Sequence, residues 1–132
     1  MTAPTPAVRA VMLERDNEQC VACPTAVRLE AQHRQAVGMG GSGRQPGFSE
    51  LVTACQEHNA RFEADLQVLA LVHGWKVRKW VADPGLVPVF YVRSGWHRLT
   101  SDGVRIPISG VRAAAMMRDV YGVEWDQWRA EA

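Results

Sequence analysis

Of the 132 residues, only three are cysteines, two are tyrosines and three are phenylalanines, and neither sign of charge is in excess. Fifteen basic side chains oppose fourteen acidic ones, for a formal net charge of +1. That balance speaks against a nucleic-acid binder working by bulk positive charge. Lysine is scarce: thirteen of the fifteen basic residues are arginine. No run approaches roughly 18 uncharged apolar residues, so the sequence predicts no transmembrane helix. The first twenty residues carry Arg9, Glu14, Arg15, Asp16 and Glu18, which is not the pattern of a secretory signal. A cytoplasmic protein without a membrane partner is the expectation. An ordinary apolar fraction, 47%, with low net charge excludes wholesale disorder. An odd number of cysteines in a reducing compartment makes a disulfide framework improbable and turns attention to metal binding.

The chain punctuates itself with proline and glycine. Residues 1–7 are Pro-rich and are expected to fray. Val8, Val11 and Met12 share one face at helical spacing, predicting a short helix over 8–15. Residues 27–31 alternate apolar and polar and read as a strand leading into Gln32 and His33. Residues 38–47 hold five glycines, a loop by composition. Ser49 is placed to cap a helix, and Leu51, Val52, Cys55, Phe62, Leu66, Leu69 and Ala70 follow at helical intervals. They predict one long helix, or two broken near His58. Beyond Gly74 come short β-type runs over 75–81, 87–92, 96–99 and 104–108, separated by turn sequences. They predict a small antiparallel sheet. A helix from Gly110 to Gly122 and a tail with Trp125 and Trp128 at i, i+3 complete the chain.

The three cysteines are not scattered. Cys20 and Cys23 form C-x-x-C, and Cys55 opens a C-x-x-H with His58, with 31 residues between Cys23 and Cys55. Two thiolates on a turn, and a thiolate with an imidazole at i, i+3, suit one tetrahedral zinc ion. Four protein ligands leave no open position, so such a zinc would be structural. It would tie the turn before the strand to the helix after the glycine-rich loop.

That frame encloses the strand end Gln32-His33, the loop, and Asn59 beside His58. Over residues 9–63 the chain resembles the HNH, or ββα-metal, nucleases in their zinc-stapled bacteriophage and actinobacterial form, through CVAC, QHRQAVGMGGSG and LVTACQEHNARFE. The β-rich stretch GWKVRKWVADPGLVPVFYVRSGWHRLTSDG is similar to an extension of those members. The resemblance implies an α+β fold: an HNH-like domain over 8–74, a β-rich extension over 75–108 and a helical segment over 109–132. It implies a metal-dependent, phage-derived DNA endonuclease in which His33 is the general base. Gln32, Asn59 and Glu63 would hold a catalytic divalent cation (Mg²⁺, Mn²⁺ or Ni²⁺), with Asn59 completing the catalytic set. The family places Asp or His where Gln32 stands, and a hard cation prefers anionic oxygen. The family's middle Asn, which orients the base, is replaced by Ser49-Glu50, leaving that role open or with Glu50.

Arg34 and Arg44 flank the loop as candidate phosphate contacts. Lys76, Arg78 and Lys79 form the densest basic stretch, with Lys76 and Arg78 on one face of an expected strand, a candidate DNA-facing patch. Residues 1–63 carry six arginines against seven acids, and 64–132 carry nine basic residues against seven. Any grip on DNA must therefore come from local groups. The alternative reading is a catalytically degenerate HNH-fold zinc module that binds DNA or a protein, in phage packaging or as an inhibitor of a host protein.

Overall fold

A computed structural model describes residues 2–36 and 43–132. Helix α1 (Pro6–Arg15) begins earlier than the apolar spacing predicts. Thr5 caps it by accepting from the Val8 amide, and Pro6 supplies a preset φ at its first position. The segment expected to fray is also tied down, since the Thr2 amide donates to the Arg44 carbonyl.

Strand β1 (Leu29–His33) pairs antiparallel with β2 (Leu51–Cys55), Leu29 opposite Cys55 and His33 opposite Leu51. The strand β2 corrects the expected helix. Residues 51–55 are buried without a break, and a continuous apolar run carries no period that separates strand from helix. Helicity begins only after Cys55, as α2 (Gln56–Arg61) and then α3 (Gln67–Val72). Ser49 lies within a 3₁₀ turn (Phe48–Glu50) and caps no α-helix.

A second antiparallel sheet is made by β3 (Val89–Tyr91), β4 (Gly95–Leu99) and β5 (Arg105–Pro107) in sequential order. Residues 75–81, expected as a strand, are irregular. Their polar backbone groups bond elsewhere: the Val77 amide to the Arg34 carbonyl and the Arg78 amide to the Tyr121 hydroxyl. Helix α4 (Gly110–Tyr121), capped by Ser109, turns at Gly122 into α5 (Val123–Glu131). The chain is thus a mixed α+β protein with two small antiparallel sheets.

Two apolar clusters hold it together. One packs Val21, Val52, Phe62, Trp75 and Val89 between the sheets. The other joins α3, α4 and α5 through Leu71, Met117, Tyr121, Trp125 and Trp128. Both clusters draw residues from either side of Gly74. Among the described residues no helix is long and apolar enough to cross a membrane.

Candidate functional site

The 20–23 turn is laid against β2 by one backbone bond, the Val21 amide to the Thr53 carbonyl at 3.0 Å. Val21 in turn accepts from Val92, so the turn bridges the two sheets. Asp16 reinforces this corner. Its carboxylate accepts from Arg15, from the Thr53 amide and from the Tyr91 hydroxyl at 2.6 Å, all in the interior. Cys20 and Cys23 are thereby brought to the end of β2, where Cys55 stands.

Cys55 is the N-cap of α2, its sulfur accepting from the His58 amide. Its side chain and that of His58 therefore meet across the first turn rather than along an established helix face. The sulfurs of Cys20, Cys23 and Cys55 and His58 Nδ1 all lie within 4.8 Å of one another. Cys23 Sγ is 3.9 Å from Cys55 Sγ, and His58 Nδ1 is 3.2 Å from Cys55 Sγ and 3.9 Å from Cys20 Sγ. A tetrahedral zinc with Zn–S of about 2.3 Å has S–S edges of about 3.8 Å. The separations of the four ligand atoms are thus on the scale of a zinc site. Burial pushes the Cys20 thiol up to about 12, so a cation is what would hold it as thiolate. The cluster is a Cys₃His arrangement able to hold a metal, compatible with structural zinc.

Toward the other end of the β1–β2 ladder, where His33 lies opposite Leu51, is a polar cleft of 260 Å³ lined by Gln32, His33, Asn59, Glu63 and Lys76. The residues selected from sequence for catalysis are together there. His33, half-buried at the end of β1, has Nε2 3.0 Å from the Thr2 carbonyl oxygen. A carbonyl only accepts, so Nε2 carries the hydrogen and the neutral ring keeps its lone pair at Nδ1. The orienting partner is a backbone carbonyl from the N-terminal segment. No local sequence signal marks Thr2 for that part. Glu50, the sequence candidate, is engaged by Arg44 and the Gly47 amide, which hold its carboxyl below the usual range.

Three departures from the expected ligand set follow. Gln32 is buried; its Nε2 donates to the Trp75 carbonyl at 3.0 Å, and its Oε1 has no partner among the described residues. Asn59 donates to Glu30 at 2.7 Å. Glu63 is bound by the Lys76 ammonium, which also donates to the His33 carbonyl at 3.3 Å. The one carboxylate of the expected set is thus already neutralised by a cation of the chain itself. As arranged, these side chains offer a divalent ion neutral amide oxygens and one carboxylate already paired with Lys76, a poor fit for a hard cation.

The predicted DNA contacts divide. Arg34 is a correction: it is fully buried, with its guanidinium donating to the carbonyls of Gly74, Ser49, Pro84 and Val87 at 2.7–3.0 Å. Burial lowers its pKa to about 10, and it is a structural clamp, closed to phosphate. Lys76 is likewise buried and faces the cleft, so the shared strand face with Arg78 does not exist. Arg78 is half-buried over the Trp128 ring, 5.3 Å from its centroid. Lys79 is exposed, and Arg44 is exposed but paired with Glu50 at 2.7 Å. Of the loop over 38–43, all but Gly43 lies outside the described residues.

Comparison with protein-family models, curated proteins and solved structures finds no match to this chain. The site therefore stands on its own geometry: a Cys₃His cluster at one end of a two-stranded ladder and a hydrogen-bonded histidine in a polar cleft toward the other.

Proposed function

We propose that the chain is a zinc-stapled HNH-type module that hydrolyses DNA phosphodiesters, with His33 as general base. The observation that carries this reading is the imidazole of His33, held at Nε2 by the Thr2 carbonyl so that Nδ1 is left to take a proton. Bound at Cys20, Cys23, Cys55 and His58, zinc would supply structural cross-linking and no chemistry, because every position is filled by the protein.

In the proposed reaction His33 Nδ1 accepts a proton from water as the water oxygen attacks phosphorus. The bond from phosphorus to the leaving sugar oxygen breaks, and that oxygen takes a proton from solvent. The imidazolium then returns its proton to solvent, so the net reaction consumes one water. The fixed ring position is what the protein supplies. Lys79 and the outer face of Arg78 provide local charge for the DNA backbone, which makes binding weak and salt-sensitive.

Purified protein incubated with supercoiled plasmid tests this directly. His33→Ala should lower nicking by about 10²- to 10⁴-fold with an unchanged melting temperature. Equal nicking by both proteins would remove His33 from the chemistry. The commitment of Gln32, Asn59 and Glu63 to internal partners favours a second reading, a module that binds DNA or a phage or host protein without cutting. Retained DNA binding with no nicking in Mg²⁺, Mn²⁺ or Ni²⁺ would establish that one.

A further inference from the structure

We infer that the ammonium of Lys76 is the resident cation of the cleft, standing where a divalent ion would otherwise be needed, so that the cleft engages phosphate without one. This rests on reading the cleft as a phosphodiester site. The side chain of Lys76 is only 7% exposed, and its head group bonds Glu63 and the backbone carbonyl of His33, the residue carrying the base. A charge removed from water needs a compensating anion or hydrogen-bond acceptors. Both are present here, but unequally placed. The His33 carbonyl is fixed by β1, whereas the Glu63 side chain is 56% exposed and free to swing into solvent.

That asymmetry has a chemical consequence. An incoming phosphodiester can replace Glu63 on the buried ammonium, exchanging one anion for another beside the lone pair of His33. A divalent ion faces the opposite balance. The carboxylate among its candidate ligands, Glu63, is paired with Lys76, and Gln32 and Asn59, whose amide nitrogens bond Trp75 and Glu30, offer it only neutral amide oxygens. Like charges in one small cleft exclude one another, and hard cations bind poorly to a site that offers only neutral oxygen.

The test is Mn²⁺ binding, followed by electron paramagnetic resonance on zinc-loaded protein. Wild type should leave Mn²⁺ free up to millimolar concentration. Lys76→Met should bind one Mn²⁺ at least tenfold more tightly, and Lys76→Met/Glu63→Gln should lose that gain. A folded Lys76→Met that gains nothing overturns the inference, as does a wild-type site whose Mn²⁺ disappears in Glu63→Gln. If Lys76→Met fails to fold, the wild-type and Glu63→Gln comparison decides: no Mn²⁺ in either supports the inference, and binding by wild type lost in Glu63→Gln overturns it. Nicking supplies an independent arm. Wild type passed over a chelating resin to remove free divalent ions should nick as fast as with added Mg²⁺, and a requirement for Mg²⁺ sinks the idea. Should no condition give nicking, the phosphodiesterase reading fails while the Mn²⁺ comparison still judges Lys76.

Discussion

Arg34 shows how far a single side chain can stand from its sequence context. It follows the candidate base directly and flanks a glycine-rich loop, a natural position for a phosphate contact. Instead it takes a full positive charge into the interior without a salt bridge to any described carboxylate. It is stabilised by four backbone carbonyls drawn from residues 49, 74, 84 and 87. Replacing it by Met would leave those carbonyls without a donor. Arg34→Met should cost about 3–5 kcal/mol in urea unfolding. A protein that keeps its stability but loses DNA affinity would restore the phosphate-contact role. Gln32 obeys the same logic on a smaller scale. Its amide satisfies the Trp75 carbonyl while its own oxygen goes unpartnered among the described residues. Gln32→Ala should therefore lower stability by about 1–3 kcal/mol, with no change in metal content by elemental analysis.

At the scale of elements, most of what was legible in the chain is what alternates or is punctuated. Strand β1, the β3–β5 meander and helices α1 and α4 were readable because their spacing and caps are local. Strand β2 was not, because all five of its residues are buried and so lose the alternation that marks a half-exposed strand. Residues 75–81 failed the other way: β-type side chains occur there, but the backbone is held by Ala70, Arg34 and Tyr121 rather than by a neighbouring strand. The turn into that segment depends on Gly74, at φ +73°, where a Cβ would lie 1.7 Å from the Pro88 carbonyl oxygen. Gly74→Ala must displace backbone as well as adopt a left-handed conformation. It should destabilise by about 3 kcal/mol or more, and a calorimetric melt within a degree of wild type would refute the packing argument.

For the whole molecule, the metal cluster and the aromatic interior set the response to conditions. Cys20 and Cys23 lie on the 20–23 turn, Cys55 ends β2 and His58 is in α2, so a bound ion would link these segments. One zinc per chain should be found by elemental analysis, and chelation should abolish cooperative thermal unfolding. Cys55→Ser should do the same without a chelator. His73 adds a pH dependence. It stacks on Trp75 at 4.7 Å and donates Nδ1 to the Leu69 carbonyl, and burial lowers its pKa below the ordinary value of 6.5. Below about pH 6.5 the unfolded chain therefore binds more protons than the folded one, and stability is lost as pH falls through that range. His97, buried beside Gly95 and Arg105, contributes in the same direction. His73→Phe should give a shallower fall in melting temperature between pH 7 and pH 5 than wild type, whatever its absolute stability.

The sequence by itself marked the Cys₃His cluster, the position of the candidate base, strand β1 and the strands of the second sheet, because ligand spacing, strand alternation and turn residues act over a few positions. Only the tertiary structure decided which charges are available to chemistry. Arg34 and Lys76 are ordinary basic residues in the chain, and nothing in their neighbours along it foretells burial. Their environments are assembled from residues 13 to 53 positions away, and the partners that hold a charge, orient an imidazole or occupy a carboxylate are fixed by that packing alone. Thr2, Glu63 and Lys76 meet around His33 through the fold, and the assignment of cation and base in the cleft is a property of that meeting.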